Sequence, residues 1–62
     1  MQGLAQIARQ NAASQALYQA NQTGENRYVV YDDDSRLAIV AEDPGPGRAV
    51  YIARPGVANP AL

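Results

Sequence analysis

Two spacings of apolar residues divide the chain. Up to Gln22 they recur at helical intervals, and after Asn26 they gather in short runs separated by Asp, Gly and Pro. The first spacing predicts a helix over residues 2–22. That segment is dense in Ala, Gln and Leu, has no proline, and holds its one glycine, Gly3, at the start. Gly24 follows as a left-handed stop. At about 100° per residue, Leu4, Ile7, Asn11, Ser14 and Tyr18 share one side of the helix. Its large members, Leu4, Ile7 and Tyr18, are assigned to the contact with the rest of the fold. An alanine stripe, Ala5, Ala8, Ala12 and Ala16, runs beside them.

The second spacing predicts strands at about 27–31, 36–42 and 48–54, because these runs are rich in Val, Ile and Tyr and bounded by turn residues. Asp32-Asp33-Asp34-Ser35 and Asp43-Pro44-Gly45-Pro46-Gly47 form the connections. The expected fold is α+β: an N-terminal helix packed on a three-stranded antiparallel β-meander, within one small domain spanning 1–62. Residues 55–62 hold two prolines and a glycine, which exclude helix and central strand. They are read as an extended C-terminal arm.

Parity then assigns the faces of the sheet. If Tyr31 and Arg36 flank a four-residue loop, Tyr28 and Val30 share a face with Leu37, Ile39 and Ala41, joined by Val50 and Ile52. This is the expected core. The opposite face gathers Val29, Tyr31, Val40 and Tyr51, with Arg27 and Arg36 at its margin. One helix covers one face of a sheet, so these six residues are the expected partner-binding surface. An apolar patch enriched in aromatics and Arg is the usual mark of a contact.

Composition supports association over chemistry. A 62-residue chain buries only about 60% of its unfolded surface, and small domains compensate with disulfides, metals or partners. There is no cysteine and no histidine, which removes disulfides, thiolate zinc sites and the commonest general base. Charge is nearly balanced at −1, and every basic residue is Arg, a side chain suited to interfaces. Across the whole helix the only charge is Arg9, so its remaining faces suit cover by neighbours as well as water. No run approaches the roughly 20 apolar residues of a membrane span, and no signal-peptide pattern opens the chain. A soluble protein, cytoplasmic or in a virion, is expected.

The cluster Asp32-Asp33-Asp34 resembles a hard-cation site only superficially. Counted from Asp32, the glycine and glutamate positions of a calcium loop hold Leu37 and Asp43, so the cluster is read as turn chemistry. Ser14, Ser35, Thr23 and the tyrosines have no histidine or lysine to activate them. The glycines alternate with proline and build no phosphate loop. No catalytic residue, metal or cofactor is therefore expected.

The expected function is binding without catalysis, with a protein partner, self or heterologous, in an oligomer or larger assembly. The first reading is an assembly subunit, such as a viral or phage accessory structural protein. The second is a small inhibitor that masks a partner, of the anti-defence type. The third is a single-stranded nucleic-acid-binding module, in which Arg27, Arg36, Arg48 and Arg54 flank a platform of Tyr28, Tyr31 and Tyr51. The near-neutral charge and the acidic turns weigh against it.

Overall fold

The helix forms as α1, Leu4–Thr23, in a computed structural model that describes residues 3–56. Its first turn closes on the Gly3 carbonyl, which accepts the Gln6 and Ile7 N–H groups at 3.1 and 3.2 Å. The stop is the expected one. Gly24 takes φ 74°, and its N–H donates to the Ala20 carbonyl at 2.8 Å, satisfying an acceptor that the helix end leaves open. Thr23 tightens the exit: its hydroxyl donates to the Gln19 carbonyl and accepts the Glu25 N–H.

Three strands follow: β1 Arg27–Tyr31, β2 Leu37–Val40 and β3 Tyr51–Ala53. The α+β class and the antiparallel pairing match the sequence expectation, but the strand order is β2-β1-β3. The meander is thereby corrected. β1 is central, and both other strands pair with it. The segment from Ala41 to Val50 is too long for a tight turn. It carries the chain from one edge of the sheet to the other, helped by Gly45 at φ 105°, a conformation open to residues without a Cβ.

The first hairpin decides the faces. Its ladder pairs Tyr31 with Leu37, Val29 with Ile39 and Tyr28 with Val40. The Asp32 N–H donates to the Arg36 carbonyl at 2.8 Å, and the Ser35 N–H returns to the Asp32 carbonyl at 3.0 Å. Three residues, Asp33 to Ser35, thus form the loop, with Ser35 left-handed at φ 61°. A turn followed by one left-handed residue is a common three-residue hairpin geometry. The expected loop was one residue longer, and a shift of one turns β1 over relative to β2, so that Val29 and Tyr31, not Tyr28 and Val30, share a side with Leu37 and Ile39.

The core-side residues are therefore Val29, Tyr31, Leu37, Ile39, Tyr51 and Ala53, while Tyr28, Val30, Ala38, Val40 and Ile52 face away from α1. Val29 and Ala53 are fully buried, and Leu37, Ile39, Val50 and Tyr51 pack against their cluster. Ile39 and Val50 are the members of the expected core that the register keeps there, with Leu37. Val50 and Tyr51 both reach the core because the Val50 N–H donates to the Val29 carbonyl at 2.7 Å, although Val29 is paired with Tyr51. Two residues opposite one is the arrangement of a bulge.

The helix also turns the opposite side to the one expected. Ala13, Ala16, Leu17 and Ala20 are buried against the sheet, whereas Leu4, Ile7 and Tyr18 are exposed. The reason lies in continuity. The side carrying Leu4, Ile7 and Tyr18 also carries Asn11 and Ser14, and packing it would bury polar groups without partners. From Ala13 to Ala20 the buried side carries no polar residue, and its alanines let α1 approach the strands closely. Among the described residues no helix is long and apolar enough to cross a membrane. Beyond Gly56 the expected arm lies outside the described residues. Gly56 itself is held by its N–H donating to Asn21 Oδ1 at 2.7 Å.

Candidate protein-contact surface

Small side chains inside leave large ones outside. On the outer side of α1, Leu4 is 86% exposed, Tyr18 65% and Ile7 41%. None of the positions on that side is charged, and the half-buried Arg9 lies on the other. Next to this side runs an open groove of about 580 Å³. Its helix wall is Ala5, Ala8, Asn11, Ala12 and Gln15, so most of the expected alanine stripe becomes a trough floor. The facing wall is the first hairpin, with Tyr31, Ser35, Arg36 and Leu37. Tyr31 is 49% exposed, so its ring offers apolar surface to whatever enters.

Of the six residues expected to bind a partner, the structure brings Tyr31 and Arg36 together on the groove wall and separates the rest. Val29 has no exposed surface, and Tyr51 is half-buried against the same core; both are corrected to the core by the shift in register. Arg27 lies on the covered side, its side chain 14% exposed. Its guanidinium bonds the Asn26 carbonyl at 2.9 Å and approaches the Glu25 carboxylate at 3.7 Å. Val40 occupies the side of the sheet away from α1, with half-buried Tyr28 and Val30 and exposed Ile52. The nucleic-acid platform is likewise divided, since Tyr28 faces one way and Tyr31 and Tyr51 the other.

Missed from the sequence were Leu4 and Ile7, which were assigned to the core. The available signal was the pair Asn11 and Ser14, polar residues between Ile7 and Tyr18 on the side given to the core.

The acidic turn is built by Asp32, whose Oδ1 accepts the Asp34 and Arg36 N–H groups, each at 2.9 Å. Asp33 and Asp34 stay exposed. Among the described residues no cluster of acidic side chains could hold a metal ion, and none of the buried side chains is polar or charged. The surface offers apolar contact with a cationic and amide rim. Compared with protein-family models, curated proteins and solved structures, the chain matches none.

Proposed function

We propose that the chain is a small non-catalytic protein–protein interaction or assembly subunit, and that the outer side of α1 with its groove is the contact surface. One observation carries this reading: Leu4, Ile7 and Tyr18 are exposed, while Leu17 and Val29 are the largest buried side chains among the described residues. Burying a large aliphatic or aromatic side chain stabilises by ~1.5–3 kcal/mol, so a chain that leaves three on one helix side has that gain still to make, in a contact. The apolar surface around Val40 and Ile52, on the far side of the sheet, supports an assembly subunit over an inhibitor. An assembly repeats contacts on several sides, whereas an inhibitor needs one.

Cross-linking with mass spectrometry in cells that make the protein tests the reading. The wild-type chain should yield specific cross-links, to itself or to a defined partner. Leu4→Glu combined with Tyr18→Glu should abolish them without loss of helix by circular dichroism. Equal cross-linking by both chains, or none by either, would refute it.

A further inference from the structure

Going beyond the α1 surface, we infer that the open edge of β2 pairs antiparallel with β2 of a second copy of this chain, about a two-fold axis, so that two three-stranded sheets become one. The argument begins with the backbone. The Val29 carbonyl accepts the Val50 N–H, so Val29 turns its main-chain groups to β3, while Tyr28 and Val30 turn theirs to Val40 and Ala38 on β2. The alternate residues Leu37 and Ile39 therefore turn their N–H and C=O groups outward, where no described residue meets them. Groups at this spacing are matched by another extended backbone.

The two edges of the sheet differ. β3 has three residues, a bulge at Val50 and Tyr51, and Arg54-Pro55 directly after it, all features that discourage a further strand. β2 reads Leu-Ala-Ile-Val and holds no charge, proline or irregular pair. The helix also leaves it less covered. One residue of β1 and one of β3, Val29 and Ala53, are fully buried, whereas all four residues of β2 are half-buried.

Charge identifies the added strand as another β2 and sets its register. Arg36 precedes β2 and Glu42 follows it, both exposed and, among the described residues, neither in an ion pair. An antiparallel copy brings the cationic end of each strand to the acidic end of the other. Because alternate residues point outward, the possible registers step by two. With Ile39 opposite its own copy, Ala38 faces Val40 and Arg36 comes level with Glu42, and the two-fold repeats both matches. By the same count the remaining exposed acids avoid like charge, since Asp43 comes level with Ser35 and Asp34 with Pro44. One step either way puts Glu42 level with the acid Asp34 or with Ala38. Strand addition draws its affinity from main-chain hydrogen bonds and its specificity from such cross-strand pairs.

Sedimentation of the full chain tests the pairing. The wild type should be a dimer. A chain assembled by chemical synthesis with an N-methyl group on the Ile39 amide should be monomeric where the wild type is paired. Its circular dichroism should be unchanged, since that N–H takes no part in the ladder between β1 and β2. Arg36→Glu and Glu42→Arg should each weaken the dimer by at least ~10-fold. Mixing the two should restore a 1:1 dimer, because every strand end then meets its opposite charge. A wild type monomeric up to ~1 mM would overturn the pairing and leave the cross-linking above to judge the α1 surface by itself. A dimer that the N-methyl group leaves intact would overturn the β2 edge as its seat.

Discussion

Among the described residues Val29 is the one large side chain with no exposed surface, and it sits on the central strand between Ile39 and Tyr51. Val29→Ala should therefore cost roughly 2–3 kcal/mol, the transfer of the lost methyls plus the cavity. Ile52→Ala, one position away in the ladder but facing outward, should cost less than about 1 kcal/mol. Urea unfolding of the two variants checks the assignment, and the reverse order would mean that the faces are exchanged. The residue responsible for that assignment is Ser35. A side chain in the left-handed region carries about 1–2 kcal/mol of strain, part of which glycine gives back in unfolded-state entropy. Ser35→Gly should thus stabilise by about 0.5 kcal/mol, and the β-branched Ser35→Val should destabilise by more than ~1 kcal/mol, both read as shifts in the melting temperature. The turn was legible from Asp32-Asp33-Asp34-Ser35, but its length was not. The left-handed position of such a loop usually shows a glycine; with serine there, nothing in the residue types distinguishes a three-residue loop from a four-residue one.

The helix was legible as an element, with its extent and its glycine stop, while its orientation was not. Leu4, Ile7 and Tyr18 were matched to the core by size, yet Asn11 and Ser14 lie among them, and Ala13, Ala16 and Ala20 with Leu17 form the side that meets the sheet. Close packing makes that side intolerant of bulk. Ala20→Leu, at a position with no exposure, should destabilise by about 1–3 kcal/mol through overpacking. Tyr18→Ser, on the opposite side, should stay within about 0.5 kcal/mol. Thermal melts monitored by circular dichroism separate the two, and a larger loss for Tyr18→Ser would restore the size-based orientation. The candidate surface was hidden by the same error, since the residues given to the core are those now exposed.

For the molecule as a whole, the number of strands and their antiparallel sense could be read from the runs and turns, whereas their order could not. Pro44-Gly45-Pro46-Gly47 has the composition of a turn, and composition does not say whether a connection returns beside the last strand or passes to the far edge. The order β2-β1-β3 sets a sequence of events in time. α1, β1 and β2 are neighbours along the chain and close their contacts over short loops. β3 joins β1 only after the whole hairpin has been spanned, and it brings three residues to the ladder, so it gains little for the loop it closes. It should dock last and detach first. Amide protons of Tyr51 to Ala53 should then exchange through a local opening of lower free energy than those of Leu17 or of β2. Each such opening uncovers the backbone of Arg27 and Val29 along one edge of β1, and for that interval the central strand of the sheet becomes an edge open to another chain.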